Sequence, residues 1–580
     1  MSRSCIIAID FGTAYSGYAY SLTLNNQQLE RVKRWERKSG ADTSKTPTCI
    51  LFDENKEFVD FGYRARDKYN EMCRKTANYY YFKDFKMELY KQKITKNMEI
   101  RDVNKRQMEA LKVFSAALRF LKDDALEALD KETQNMAKGL LNFTWVLTVP
   151  AIWDNPARQV MREAAVQAGL VTAATEDKLV IALEPEAASI QCKQLCSEDF
   201  MMAEAPVEIN LSPGTQYIVV DCGGGTIDIT VHEVLEGGRL KELHKASGND
   251  KGGRRVDRKF VQCMREFFCD GLWEEYETDF PSEAQAFMED FICFRQADHA
   301  KVRQLDFYEK FKYLFEKKKT RNEVLFEPMD GMTFHWVKQP NAESYSAKLE
   351  ISEKKMESFF RETLVHVTDS LSEILNKHSD IKYIMLVGGL SSSHILRRHV
   401  YREFSDQAKV LCPKNPQEAI LKGAVMFGRD QSVIQTRKSA FTYGLGVNEL
   451  FDPSLHKPGK KYTTKEGVIW CGDIFSKLVG INEDVEWNST REYKCFPIES
   501  DQKKMELPFY RTERETVMYV DDWGVEGPVA ECVVDMPDTA KGTNREVKLE
   551  VFFGSTEIKA KATDLESKST VSVIVDFIAS

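Results

Sequence analysis

Two short segments limit what this chain can fold into more than anything else in it. Asp10-Phe11-Gly12-Thr13-Ala14-Tyr15-Ser16 and Asp221-Cys222-Gly223-Gly224-Gly225-Thr226-Ile227-Asp228 share one plan. An aspartate closes an apolar run, small residues turn the chain, a threonine follows, and a second run returns. Such a hairpin exposes backbone N–H groups, and glycine lets the backbone come close to an anion. Threonine hydroxyls can ligate phosphate, and aspartates at the same mouth can hold Mg²⁺ through waters. A Walker motif differs, because its Gly-rich loop and Lys-Ser/Thr pair open a helix. None occurs in this sequence. Either segment alone reads equally well as an ordinary hairpin turn. Together they point to a duplicated strand-turn-strand unit, two copies facing each other across a cleft with a nucleotide between.

The surrounding sequence alternates strand and helix signals over the first 430 residues, which argues for α/β layers. The run Cys5–Ile9 predicts a strand, Gly12 a tight turn, and GYAYSL a returning strand. Residues 105–134 predict a helix, with Met108, Leu111, Phe114, Leu118, Leu121 and Leu129 at helical spacing. WVLTV, Trp145–Val149, predicts a buried strand. The next helix carries its own punctuation: Asp154 or Asn155 as cap, Pro156 in the first turn, Gly169 as stop. Tyr217–Val220 and Ile227–Val234 read as strands, 256–325 as mostly helical, 352–378 as a long amphipathic helix, and IKYIMLV as a strand entering Gly388-Gly389. Gly423 and Gly428 lie near the end of a final helix-like piece. Beyond about residue 440 the period becomes two: Val547, Leu549, Val551 and Phe553, then Val571, Val573, Val575 and Phe577. Half-buried antiparallel strands give that pattern.

Composition excludes several classes. Hydrophobic residues at 42% and charged residues at 29% fit a large folded core rather than disorder. With 81 basic and 90 acidic residues the net charge is −9, so nothing global concentrates nucleic acid or anionic membrane around the chain. Thirteen dispersed cysteines read as thiols of a reducing compartment. Cys192 and Cys196 have no second Cys/His pair close behind them to complete a zinc site. No stretch reaches the apolar length of a membrane span, and the N-terminal run is too short for a signal-peptide core. A cytoplasmic location is the expectation, with a nuclear pool left open.

Two further segments carry weaker signals. Val387-Gly388-Gly389-Leu390-Ser391 leaves room for a flat base or sugar, and Glu184-Pro185-Glu186-Ala187-Ala188 reads on its own as a helix start. With all these positions assembled, the chain resembles the 70-kDa heat-shock protein family, and within it the divergent 12A/12B branch. VDCGGGTIDITV, LEPEAAS and LVGG carry the resemblance.

The resemblance implies an α/β fold: a duplicated actin/hexokinase-like ATPase with two lobes around Mg-ATP, followed by a β-rich C-terminal domain. The expected division is 1–214 and 215–430 for the two lobes, with a helical subdomain near 256–380 in the second. A linker at 431–439 and a β-rich interaction domain at 440–580 would follow. By the same resemblance Asp10 and Asp221 would hold Mg²⁺, mainly through waters. Glu184 and Asp228 would support and orient the attacking water. Gly12, Thr13, Ala14, Tyr15, Gly223, Gly224, Gly225 and Thr226 would surround the phosphates. Gly252 and Gly253 match a glycine pair behind the second loop. Gly388, Gly389 and Ser391 match the adenosine side. The family's phosphate-stabilising lysine aligns with Lys86 or Lys83, and Lys86 is preferred. The EKKK run at 316–319 is a weaker adenosine-side candidate, since lysine clusters usually face solvent.

The implied reaction is in-line attack of water on the γ-phosphate, giving ADP and phosphate. Three departures bear on it. Ala14 stands where the family has a second threonine, which would slow hydrolysis or alter phosphate contacts. The linker stretch Ser432–Lys438 has only a short apolar pair in place of a leucine-rich acidic segment. After VSVIVDFIAS no helical lid is expected. The favoured reading is a Mg-ATP-binding, chaperone-like protein with slow ATPase activity and a protein partner or client. A nucleotide-dependent signalling scaffold with negligible turnover is the alternative, and a small-molecule kinase is a third. Nothing in the sequence fixes an oligomeric state.

Overall fold

Short apolar runs ended by charge or glycine build the layers that position the cleft. The computed structural model describes residues 4–24, 27–36, 42–71, 78–91, 94–95, 97–133, 142–201, 209–296, 302–319, 325–338 and 345–574. β1 (Ser4–Phe11), β2 (Tyr15–Leu24), β3 (Gln27–Val32), β4 (Asn142–Val149) and β5 (Leu179–Leu183) form the first sheet, ordered β5-β4-β1-β2-β3. β4 runs parallel to β1 and β5 parallel to β4, whereas β2 is the antiparallel hairpin partner of β1.

The second sheet repeats this plan. It contains β6 (Gln216–Cys222), β7 (Ile227–Val234), β8 (Leu240–Asn249), β9 (Ile381–Val387) and β10 (Lys409–Pro413), ordered β10-β9-β6-β7-β8. Again the central strand has a parallel neighbour on one side and its hairpin partner on the other. Each acidic turn joins a central strand to its hairpin partner.

Helices fill the space around the sheets. α1 (Ala110–Glu132) buries Val113, Phe114, Ala117, Leu121 and Leu129 at helical spacing. It starts later than the expected 105, because Gln107–Glu109 pairs with Glu99–Arg101 and places Met108 on a strand. α2 (Asn155–Gln167) is capped by Asp154, whose carboxylate accepts the Ala157 N–H at 3.1 Å. Gly169 ends it at φ 76°. α3 (Glu184–Gln194) continues directly from β5.

Residues 256–325 are mostly helical, as their composition implied, with helices at Gly253–Phe267, Leu272–Asp279 and Glu309–Lys319. Besides these, α4 (Pro281–Gln296) and α5 (Glu353–Lys377), the segment near 256–380 holds a three-stranded antiparallel sheet of Val302–Asp306, Met332–Lys338 and Tyr345–Ser352. α6 (Ala419–Arg429) follows the second sheet in sequence but packs back onto the first, where Gly428 lies against Val146 and Ile6. A Cβ on Gly423 would lie 1.6 Å from the Ala187 carbonyl oxygen, so α3 and α6 meet backbone to backbone. These two helices and the inner faces of both sheets share one buried cluster that includes Ala8, Val146, Val219 and Met385.

The C-terminal part is all β. One sheet orders Lys461–Thr463, Ile469–Val479, Thr442–Leu450, Lys504–Thr512 and Val525–Asp535. The other orders Thr490–Cys495, Val547–Phe552, Lys559–Asp564 and Thr570–Ile574, with Leu445, Phe509, Val534, Leu549 and Val551 buried in a shared core. Val547, Leu549 and Val551 alternate buried with half-buried neighbours, as their period of two requires. Val575 and Phe577 lie outside the described residues. The stretch expected as a linker is itself a strand, β11 (Ile434–Lys438), parallel to β8 and antiparallel to Asp484–Glu486. Residues 484–486 of the β-rich part therefore extend the second sheet.

Candidate functional site

The site forms where both hairpins and the start of α3 converge. A cavity of about 180 Å³ is lined by Asp10, Gly12, Thr13, Ala14 and Tyr15 from the first turn and by Asp221, Gly223, Gly224, Gly225 and Thr226 from the second. Glu184, Gly388 and Gly389 complete the expected part of its wall. The two turns nearly touch across the cleft. A Cβ at Gly225 would sit 2.4 Å from Thr13 Oγ1, and one at Gly224 would sit 2.5 Å from the Ala14 methyl. Backbone amides from both sides thus reach one small volume.

Four carboxylates gather at this point. Asp10 ends β1, opposite Thr148 of β4, whose hydroxyl donates to Asp10 Oδ1 at 3.3 Å. Asp221 and Asp228 face each other as register partners on β6 and β7. Asp228 Oδ1 accepts the Ile152 N–H at 3.1 Å. Lys86 is buried and its ammonium donates to Glu184 Oε1 at 2.6 Å. Lys45 pairs with Asp10 Oδ2. Asp221 Oδ1 and Asp228 Oδ2 are buried without a hydrogen-bond partner.

Protonation follows from this crowding. Burial pushes Glu184 up to about 7; the Lys86 ammonium opposes the rise, while Asp10 and Asp228 add to it. Asp221 is held well above the ordinary carboxylate range by burial and then by Glu184, Asp228 and Asp10. Asp228 is raised by burial as well.

The orphaned oxygens provide a test of whether a divalent cation suits the site. Two lysines stand among four buried acids, so the cluster is short of positive charge, and a hydrated Mg²⁺ fits that deficit. Among the described residues no group of three His, Cys, Asp or Glu side chains converges closely enough to ligate an ion directly. An ion here would accordingly be held through waters and phosphate oxygens.

The remaining expected residues take supporting places. Gly252 and Gly253 lie behind the second turn, donating their N–H groups to the Gly225 and Gly223 carbonyls at 3.2 and 3.0 Å. Ser391 is buried and donates to the Val387 carbonyl at 2.6 Å, behind the cavity wall. Gly388, at φ 83°, packs so tightly that a Cβ would meet Asp221 Oδ1 at 2.2 Å. Lys83 is exposed. In the EKKK run, Lys318 turns to the Asp270 carbonyl at 2.8 Å, away from the cavity lining. Cys222 packs in the core, where burial raises its thiol.

Several wall residues escaped sequence reasoning. Lys45 looks like a surface turn residue in TSKTPT, yet lines the cavity. α4 contributes Glu289, Ile292, Cys293, Arg295 and Gln296. Arg295 donates to Asp257 at 2.9 Å and Gln296 reaches the Gly389 carbonyl at 3.3 Å. Helical spacing could have marked this face, but nothing local aimed it at the turns. Two ion pairs lie beside the site: Arg66 with Glu289 of the cavity wall, and Asp84 with Arg254, whose N–H donates to the Gly224 carbonyl.

Two hairpins of one plan thus enclose a single acid-lined cavity. Residues 6–436 match the family described as Hsp70 protein. The chain is 31% identical to human heat shock 70 kDa protein 12A over 99% of its own length and 91% of that protein, and 32% identical to the mouse counterpart over the same shares. It is also 31% identical to human heat shock 70 kDa protein 12B, over 100% of this chain and 92% of that protein. The chain belongs to the Hsp70 family, with an ATPase domain of mixed α/β sheets followed by β-rich sheets. No helix among the described residues is long and apolar enough to cross a membrane.

Proposed function

We propose that the chain binds Mg-ATP between two lobes of an actin/hexokinase-like fold and hydrolyses it slowly. We further propose that the bound nucleotide biases how the C-terminal β part engages a protein partner. The observation that carries this reading is the cluster of buried carboxylates, with Asp221 on the cavity wall keeping one oxygen unpartnered, set against two amide-rich turns. Backbone N–H groups of both turns, with Thr13 and Thr226, would hold phosphate oxygens and offset the charge that grows on them. Mg²⁺, carried by Asp10 and Asp221 through waters, would neutralise the β- and γ-phosphates. Glu184 on the cavity wall would orient an attacking water, with Lys86 keeping it in place and the buried Asp228 supporting from behind. Ala14 removes one hydroxyl from the first turn, which favours slow turnover.

The coupling has a physical carrier. Glu184 and Glu186 share the first turn of α3, and Glu186 is held bidentately by Arg437 of β11 at 2.8 and 2.9 Å. A shift of α3 on hydrolysis would therefore move the strand that leads into the β part. A nucleotide-dependent scaffold with negligible turnover is the second reading, and Ala14 is the observation that favours it.

The experiment is ATP and ADP binding to the full chain with magnesium, followed by single-turnover phosphate release. The expected result is one nucleotide per chain, weaker binding in Asp10→Ala and Asp228→Ala, and slow release. Binding without release selects the scaffold. A folded chain that binds neither nucleotide overturns the proposal.

A further inference from the structure

Among the described residues Lys45 is the lysine that lines the cavity, whereas Lys86, paired with Glu184, does not line it. Lys86 is committed twice over: its ammonium is 2.6 Å from Glu184 Oε1 and 5.1 Å from the centre of the Trp153 ring. To reach a phosphate it would have to abandon a buried carboxylate, which is costly.

Lys45 is placed differently. It immediately precedes Thr46–Pro47, which pairs with Tyr15 and Ser16 at the base of the first turn. Thr48 then clamps that turn, its N–H donating to the Ala14 carbonyl at 2.9 Å and its hydroxyl to the Gly12 carbonyl at 2.7 Å. Gly17 leaves the space that the lysine stem occupies, since a Cβ there would come 3.1 Å from Lys45 Cγ. The stem lies flat on β2 and carries the ammonium to Asp10, with 13% of the side chain exposed. Burial works against its charge, but Asp10 and then Asp221 and Glu184 hold it protonated.

We infer that Lys45 is a phosphate-contacting residue, an internal cation that neutralises Asp10 in the empty cleft and turns to the terminal phosphate of a bound nucleoside triphosphate. The inference rests on the nucleotide reading above. Its logic is charge balance. Once a hydrated cation approaches Asp10, the ammonium is repelled, and since Asp221 and Glu184 are held up toward their neutral forms, a terminal phosphate in the same cavity is the strongest anion it can turn to. A diphosphate offers less charge at that end, so Lys45 favours ATP over ADP. It also supplies a positive charge that persists when the metal is removed.

The test compares wild type, Lys45→Met and Lys45→Arg as full chains, titrated with ATP and with ADP in magnesium and again in EDTA. Lys45→Met is expected to lose about tenfold or more in ATP affinity, the value of one charge-assisted hydrogen bond, with a smaller loss for ADP. Weak ATP binding in EDTA is expected for wild type and Lys45→Arg and not for Lys45→Met. Equal affinities for wild type and Lys45→Met in all four titrations overturn the inference and leave the nucleotide reading standing. A wild type that binds neither nucleotide in magnesium overturns both. A second readout needs no variant: an acyl-phosphate derivative of ATP transfers its acyl group to an amine beside the terminal phosphate, releasing ATP. Acylation of Lys45, suppressed by excess ATP, is expected; acylation of Lys86 alone overturns the inference.

Discussion

The nucleotide cleft and the junction with the β part both bury acidic side chains, and they treat them in opposite ways. Among the described residues at the junction, the buried Glu186 and Glu242 and the half-buried Glu557 are met. Arg437 grips Glu186 bidentately and donates to the Gly554 carbonyl at 2.7 Å, and Arg162 pairs with Glu557. Glu242 accepts the Lys438 and Ala246 N–H groups at 2.7 and 2.9 Å. In the cleft, Asp221 and Asp228 each keep a buried oxygen without a partner. A buried acid with an unpaired oxygen is costly to the folded chain, so it persists where a ligand completes it; an acid whose partners are in place belongs to the architecture. The contrast separates a binding site from a joint made of the same residue types.

Breaking the joint should give the largest effect. Arg437→Met leaves Glu186 buried and uncompensated, a loss of about 3–5 kcal/mol by analogy with other split buried pairs. Proteolysis of the full chain should then cut near residues 438–441 and free the C-terminal part, while the double change Arg437→Met with Glu186→Leu restores much of the resistance. Equal protease resistance in wild type and Arg437→Met would show the pair to be dispensable.

Emptying the cleft of one unmet acid should act in the opposite sense on stability. Asp221→Asn is expected to weaken magnesium-dependent ATP binding about 100-fold, equivalent to roughly 2.7 kcal/mol, with a thermal midpoint at least as high as wild type. The same exchange at Glu186 should lower the midpoint, because there the charge is in use.

Glu242 sharpens the comparison through pH. Burial, reinforced by Glu186, pushes it up to about 7 against an ordinary 4.5. Between those values the folded chain binds more protons than the unfolded chain, so this group's contribution to stability falls as pH rises from 4.5 to 7. The full change is roughly 3 kcal/mol. Glu242→Gln should flatten that slope in thermal unfolding measured across the window; an unchanged slope assigns the pH dependence to other groups.

The smallest effect belongs to the Arg66–Glu289 pair beside the cavity. Arg66→Ala removes the pair with Glu289, a partly exposed contact of about 0.5–1 kcal/mol, and should speed ADP dissociation by roughly two- to fivefold in stopped flow. An unaltered rate means that this pair has no part in nucleotide release.

Much of the cleft was readable in the sequence, because each hairpin turn is local: an aspartate, its glycines and its threonine are neighbours in the chain. The two sheets were readable for the same reason. What sequence reasoning missed depends on partners far apart. Lys45 and Asp10 meet only because Thr46–Pro47 folds against Tyr15 and Ser16. The stretch 431–439 was weighed by its short apolar pair, yet its arginine does the docking, to a glutamate on α3. Charges are visible in a sequence; the acids and bases they will meet are not. Likewise Met108 fitted a helical spacing and joined a strand, since Glu99–Arg101 supplied a pairing edge that periodicity cannot see.

The most direct test of the central claim is calorimetric titration of the full chain with ATP in magnesium, run beside Asp221→Asn and joined to thermal unfolding of both proteins. The account predicts one nucleotide per wild-type chain, strongly reduced binding by Asp221→Asn, and no loss of stability in that variant. Unchanged ATP binding in a folded Asp221→Asn chain would contradict it.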